Sequence, residues 1–415
     1  MYLNQEKWLA QAKERELQAH KFEEALNQYI LANPDKYSKF IDKQLDLFSD
    51  ERKTNINWSS PKQVLDILSI SGLSVDSVNE KVIEKYRGSN ELVSLYLDYK
   101  ENSTAISKFG KDYLKWVNKS TGRVNTSYFQ ILDTGRVSSG KKDEFPNVQQ
   151  LPALNEVRNC FEAEKGWKIV DCDYSAMELV IAGCVSNEDS WVEAFKNGYD
   201  LHSVVAETVY KTKWTTVAEE DCQYAINKQK CSCKEHKKMR DKIKTLNYLS
   251  LYGGGPNKLS AAINIPLEEA KQIISSYFNN LPKLSKFLDT LKHYGKTNLH
   301  IRTKKPYRRI RWFEPHNNDN NLISTIERQS GNTFIQGTGA DIVKLAMNKM
   351  YSYREENKVP VKFIMQLHDA IVCEVKEEYA EEWKTLQIGF MKEAFEDVIG
   401  HTIDVDGYVE DFWKK

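Results

Sequence analysis

Phe22, Ala25, Leu26, Tyr29 and Ile30 recur at i, i+3, i+4, i+7 and i+8, the spacing that lines one face of an α-helix. Asn33-Pro34 ends this helix, because the residue before a proline is pushed out of helical geometry. Ser59-Ser60-Pro61 reads as the cap and first turn of a second helix carrying Val64, Leu65 and Leu68. The period then changes. Residues 167–173 alternate as a strand does and run straight into a helix signal at Ser175, after which helical spacing persists to about residue 292. Residues 363–375 predict two short strands around a turn at His368-Asp369, and 403–409 predict one more. No repeat interrupts the order. The expected class is α+β, with helical lobes on a small antiparallel sheet.

At 415 residues and 40% hydrophobic content the chain has enough apolar surface for two or three subdomains. Lys+Arg and Asp+Glu both total 59, so a polyanionic partner would need a local patch rather than a net field. No apolar run approaches a membrane span, and Met1 to Lys13 is polar where a signal peptide is apolar, so a cytoplasmic setting is expected. Seven cysteines, scattered except for three between Cys222 and Cys233, do not form a secreted disulfide framework.

Alternation along the first strand puts Asp171 and Asp173 on one face, with Asp173 at the strand end. Asp369 sits at a hairpin tip between Ile364, Leu367, Ile371 and Val372, which would hold it rigidly. If these strands are neighbours, the two aspartates meet and can bridge two Mg²⁺ ions about 4 Å apart, an arrangement suited to phosphoryl transfer. Taken singly, each reads as an ordinary strand-end or turn residue. Arg240, Lys244, Tyr248 and Tyr252 recur every fourth residue, so two cations and two aromatics share one helix face before Gly253-Gly254-Gly255-Pro256 ends it. Such a face suits a triphosphate, a sugar and a base, and equally suits an exposed stripe.

In order, these pieces resemble family A DNA polymerases, the bacterial DNA polymerase I and bacteriophage replicase family, over nearly the whole chain. Thr134-Gly135-Arg136-Val137-Ser138-Ser139 with Pro146-Asn147-Val148-Gln149-Gln150-Leu151-Pro152 resembles the family's primer-template segment. Asp173-Tyr174-Ser175-Ala176-Met177-Glu178-Leu179 is similar to motif A, and Asp200-Leu201-His202 to the sequence following it. The Arg240 helix resembles motif B, Gln336-Gly337-Thr338-Gly339-Ala340-Asp341 the segment before motif C, and Gln366-Leu367-His368-Asp369 motif C.

The resemblance implies a right hand: thumb with the start of the palm over 1–130, palm over 131–200 and 328–415, and fingers over 201–327 with an insertion at 211–238. It implies a bacteriophage-type, monomeric, template-directed DNA polymerase using primer-template DNA, dNTPs and two Mg²⁺ ions, with Mn²⁺ able to substitute. Asp173 and Asp369 would hold the metals, assisted by the Tyr174 carbonyl. Arg240, Lys244, His202 and Tyr248 would meet the dNTP, with Lys244 a proton donor to pyrophosphate. Glu178 would exclude a 2′-hydroxyl, although Ser175-x-x-Glu178 also fits a helix capping box. Arg136, Gln336 and His368 would read the minor-groove side of the terminal pair, with Tyr252, Asn332 and Arg328 as further DNA contacts. The Tyr248 hydroxyl implies ready acceptance of dideoxynucleotides.

Ala370 stands where many relatives carry glutamate, leaving Asp171 or Glu374 to supply a third carboxylate. Val180 replaces a usual arginine and Leu249 a usual glycine. The insertion holds Cys222, Cys231, Cys233 and His236, potential Zn²⁺ ligands. Its Cys-x-Cys spacing departs from the usual knuckle, and Lys228, Lys230, Lys234, Lys237 and Lys238 read as a solvated basic loop. Arg302, Lys304, Lys305, Arg308, Arg309 and Arg311 form a candidate DNA-backbone patch. Asn57 to Leu65 resembles a thumb segment, which leaves no residues for a proofreading domain, so a 3′→5′ exonuclease is not expected here and would be a separate partner, as would a processivity factor. The alternatives are a single-subunit RNA polymerase and a silent primer-template binding protein.

Overall fold

Four antiparallel strands form the largest sheet among the described residues, in the spatial order Val405–Glu410, Trp167–Tyr174, Ala370–Lys376 and Val361–Leu367. The computed structural model describes residues 1–42 and 52–414. In the two inner strands Ile169, Val170, Cys172, Val372, Cys373 and Val375 are fully buried, as expected where both faces of a sheet are covered. A register shift between Phe363 and Met365 bulges the edge strand, after which pairing resumes at Met365↔Val372 and ends at Leu367↔Ala370. The helix Ala380–Ile399 packs on the sheet, with the Gln387 amide donating to the Ile371 carbonyl at 2.7 Å and the Tyr174 hydroxyl to the Met391 carbonyl at 2.6 Å.

The chain divides into two compact units, one comprising Met1–Asn125, Leu151–Glu162 and the C-terminal end, the other Thr126–Gln150 and Ala163–Trp413. In the first, Gln5–Leu31 packs against Glu91–Phe109, and the predicted residues Leu26 and Ile30 are fully buried with Trp58, Val64 and Leu68. Pro61 does begin the next helix, Pro61–Ile70, but the Ser60 side chain makes no capping bond.

The second unit contains the sheet and the helices that follow it. The continuous helical character expected after Ser175 is broken into nine helices between Met177 and Asn298. Pro256 both follows the glycine stop and opens the next helix, Pro256–Ile263, at its first position. The longest helix, Asn320–Asn357, runs about 57 Å at 1.5 Å per residue and is buried along its middle. A side chain at Gly337 would meet Thr303 Cγ2 at 2.6 Å and the Thr134 carbonyl at 3.1 Å, so only glycine permits this helix to approach the Thr134 loop. Among the described residues no helix is long and apolar enough to cross a membrane.

Candidate active site

Strand pairing brings the two predicted aspartates together. Asp173 faces Ala370 across the two central strands, so Asp369, the residue before Ala370, lies at the same sheet end. His368 holds a left-handed backbone (φ 55) that turns the hairpin there. Loss of water, then the charges of Asp369, Asp171 and Asp406, push the Asp173 carboxyl from its ordinary value of 3.8 up to about 7. Burial likewise raises Asp369, with Arg136 nearby pulling the other way. Among the described residues no lysine or arginine makes an ion pair with either carboxylate.

Neither expected source of a third carboxylate is free. Asp171 accepts from Tyr408 Oη at 3.1 Å and Trp413 Nε1 at 3.0 Å, while Glu374, almost wholly buried, accepts from the Glu164 amide at 2.8 Å and lies 3.5 Å from Lys362 Nζ. The carboxylate beside the pair is instead Asp406, the cross-strand partner of Asp173, exposed and accepting from Ser175 Oγ at 2.7 Å. The alternation at 403–409 predicts a strand there but cannot say which strand it joins.

The helix Lys234–Leu251 presents the expected stripe, with Tyr252 as its C-terminal cap. At one end Arg240 Nε and Nη2 donate to the two oxygens of Asp200 at 2.8 Å and 2.6 Å. Burial alone would raise Asp200, but the Arg240 and Ser203 hydrogen bonds bring it below the usual range. Lys244 is exposed on the same face. His202 is buried against it: Asn247 Nδ2 lies 2.9 Å from His202 Nδ1, and desolvation followed by the Arg240 charge lowers the imidazole to about 4. An amide NH₂ only donates, so Nδ1 accepts and the imidazole proton sits on Nε2. Tyr248, half-buried, sits 6.3 Å from the His202 ring, and its hydroxyl is raised by burial and by the charges of Glu178, Asp369 and Asp173, so this member of the stripe faces the carboxylates.

At the other end Glu178, buried, accepts hydrogen bonds from both Arg136 Nη2 and Tyr252 Oη. This corrects the capping-box alternative: Ala176, in left-handed conformation, caps the helix Met177–Ser186, and the Ser175 hydroxyl is spent on Asp406. The Gln336 side chain lies close to Tyr252, and Arg328, Asn332 and Gln336 follow one another at i, i+4 and i+8 on the long helix, with Arg328 packed on Gly253. Asn332 Oδ1 is buried without a hydrogen-bond partner. The Tyr174 ring points away from this cleft into the core, so only its backbone is available there. Sequence reading missed Tyr128, whose hydroxyl accepts from the Gln366 amide at 3.0 Å and ties the 126–150 segment to the Asp369 hairpin.

Asp341 is a structural anchor, bound by Arg309 at 2.7 Å and by Thr303 Oγ1 at 2.9 Å. With Arg309 so committed and Arg311 paired to Asp133 at 2.9 Å, the six-residue basic patch is reduced to Arg302, Lys304, Lys305 and Arg308. Val180 is buried and lines a cavity of about 260 Å³ together with His202, Asp200 and Arg240. In the insertion Lys230, Lys234, Lys237 and Lys238 are solvated as expected, but Lys228 is half-buried and donates to Glu207 at 2.9 Å, and the three cysteines and His236 turn inward and are buried together.

The family model for DNA polymerase family A matches residues 34–415. The chain belongs to DNA polymerase family A. It is 31% identical over 335 residues to DNA polymerase I of Caldicellulosiruptor bescii, covering 77% of this chain and 36% of that one. It is 30% identical over 345 residues to DNA polymerase I of Geobacillus stearothermophilus, covering 78% and 36%. The chain thus spans about a third of the length of these relatives. They are bacterial, and give the bacteriophage subclass no support. The polymerase domain of Pol1 from M. smegmatis, solved with DNA primer-template and dNTP, superimposes with a TM-score of 0.80 at 22% identity, covering 100% of this chain and 67% of that one. The fold is therefore the α+β fold of a family A polymerase domain.

Proposed function

We propose that this chain is a template-directed DNA polymerase, adding deoxynucleotides to a primer 3′ end and releasing pyrophosphate. The observation that carries this reading is the convergence, within one compact unit, of Asp173 and Asp369 with a helix face running from Arg240 to the Glu178 cage. We read 131–200 and 328–415 as palm, 201–327 as fingers, and 1–130 as thumb with the start of the palm.

Two carboxylates raised by burial, Asp173 also by the Asp369 charge, with no cationic side chain paired to them among the described residues, suit hard divalent cations such as Mg²⁺. Asp173 and Asp369 would hold the ions, with the Tyr174 backbone beside them. When bound, Mg²⁺ supplies Lewis-acid stabilisation of the charge that builds on the phosphoryl oxygens. The chain's own residues do the rest. Arg240, released from Asp200 by a competing triphosphate, and Lys244 would bind the phosphates, and Lys244 would return a proton to pyrophosphate. Neutral His202 acts as a hydrogen-bond donor through Nε2 rather than as a charge. Glu178, fixed from both sides, would fill the space of a 2′-hydroxyl under the sugar, with Tyr248 and Tyr252 as flat surfaces for the nucleotide and template. Arg136, Gln336, His368, Asn332 and Arg328 would contact the DNA near the primer end, where minor-groove acceptors are placed alike in every correct pair.

Primer extension with dNTPs and with rNTPs, beside Asp173→Asn, tests the reading. Template-dependent dNTP addition that the variant loses supports it. Ribonucleotide synthesis would identify an RNA polymerase, and tight primer-template binding without extension would identify a silent binding protein; either result overturns the proposal.

A further inference from the structure

We propose that Cys222, Cys231, Cys233 and His236 bind one structural Zn²⁺ that staples the insertion to the first turn of the Arg240 helix. Their four ligand atoms lie within 4.8 Å of one another, and all four residues are buried. Zinc–sulfur and zinc–nitrogen bonds of about 2.3 Å and 2.0 Å at a tetrahedral angle place neighbouring ligand atoms roughly 3.5 Å apart. His236 Nδ1 lies 3.4 Å from Cys222 Sγ and 3.2 Å from Cys231 Sγ.

The far side of the histidine supplies an independent observation. His236 Nε2 lies 2.8 Å from the Trp214 carbonyl, an acceptor only, so the ring proton belongs on Nε2 and the Nδ1 lone pair is directed at the sulfurs. Structural metal sites hold their histidines in this way, through a hydrogen bond from the second ring nitrogen. The Trp214 ring stacks on the imidazole at 3.8 Å and 11°, fixing its plane. Three thiolates and one imidazole form a soft, closed set with no position left for water, the donor chemistry of a structural rather than a catalytic zinc. A cage this small has no room for an iron–sulfur cluster with its inorganic sulfides.

The ligands come from three places: Cys222 precedes the short helix Gln223–Asn227, Cys231 lies in the loop after it, and Cys233 and His236 belong to the start of Lys234–Leu251. His236 is one helical turn before Arg240. The metal therefore fixes both the insertion and the entry of the helix that carries the stripe. Each thiol gives up its proton to solvent as the zinc–sulfur bond forms, with no change of oxidation state. This inference does not depend on the polymerase reading, because the staple is detected by metal content alone.

Full-length protein produced in zinc-supplemented medium and purified without chelator should carry about one zinc per chain by elemental analysis. After zinc removal, Co²⁺ should restore an equal stoichiometry and give the visible absorption of tetrahedral cobalt with thiolate charge-transfer bands. Cys231→Ser should lower bound zinc at least fivefold, while His236→Cys, which keeps four soft ligands, should retain it. Less than about a tenth of an equivalent of zinc in the unmodified chain with no tetrahedral cobalt spectrum, or a disulfide among the three cysteines, overturns the proposal. The cobalt measurement uses the unmodified chain, so misfolding of a variant cannot mask either result.

Discussion

Asp200 grips Arg240 through hydrogen bonds of 2.6 Å and 2.8 Å, and the same carboxylate caps the helix Leu201–Tyr210 by accepting from the Ser203 amide at 2.9 Å. One side chain thus sets a helix start and holds the cation to which the proposed function gives the triphosphate. Removing one member of a buried pair costs on the order of 3 kcal/mol, because the other charge stays desolvated. Asp200→Ala should lose about that much stability in urea unfolding. Asp200→Asn, which keeps an oxygen for the cap, should lose about half as much and lower the KM for dNTP by freeing Arg240. Equal losses in the two variants would show that the cap contributes nothing.

Glu178 is held between Arg136 and Tyr252, a fixed position that suits it to exclude a 2′-hydroxyl. Glu178→Ala should raise ribonucleotide incorporation relative to deoxynucleotide by tenfold or more in single-nucleotide extension. Tyr252→Phe removes one of the two donors and should cost about 1 kcal/mol in stability while relaxing discrimination by less. Unchanged discrimination in Glu178→Ala would remove the sugar-exclusion role.

The raised Asp173 carboxyl has a stability consequence. Its folded value of about 7 exceeds the ordinary 3.8, so the folded chain holds a proton that the unfolded chain releases. That contribution is fully present below about pH 3.8 and is lost as pH rises through 7. Asp173→Asn should therefore abolish synthesis yet melt a few degrees above the unmodified chain in metal-free buffer at pH 8, the gap closing towards pH 5. Asp406→Asn should share the stabilisation in smaller measure and raise the Mg²⁺ concentration needed for half-maximal synthesis. A lower melting point for Asp173→Asn at pH 8 would contradict a carboxyl raised by burial and by its acidic neighbours.

His202 has the opposite sign. Its folded value of about 4 lies below the ordinary 6.5, so the unfolded chain binds the proton first. The stability it contributes is fully present above about pH 6.5 and is lost as pH falls towards 4. Thermal melts between pH 7 and 4.5 should decline less steeply for His202→Gln than for the unmodified chain. Parallel curves would show that the imidazole does not resist protonation.

Much of the local structure is legible in the residues. Apolar spacing marks the Leu26 and Ile30 face, alternation marks the strands bearing Asp173 and Asp369, and the four-residue recurrence from Arg240 to Tyr252 marks the helix face, because these are short-range consequences of 3.6- and 2-residue periods. Motif order identifies the family for the same reason, since it is carried along the chain. Tertiary structure decides the partners. That Asp406 stands beside Asp173 while Asp171 and Glu374 are spent elsewhere follows from strand neighbours that no local pattern names. That Glu178 is caged rather than capping follows from Arg136 and Tyr252, 42 and 74 residues away in sequence. And a Cys-x-Cys loop rich in lysine looks solvated until folding turns its thiols inward onto His236 and leaves Lys230, Lys234, Lys237 and Lys238 in water, because burial is chosen atom by atom once the chain has neighbours to pack against.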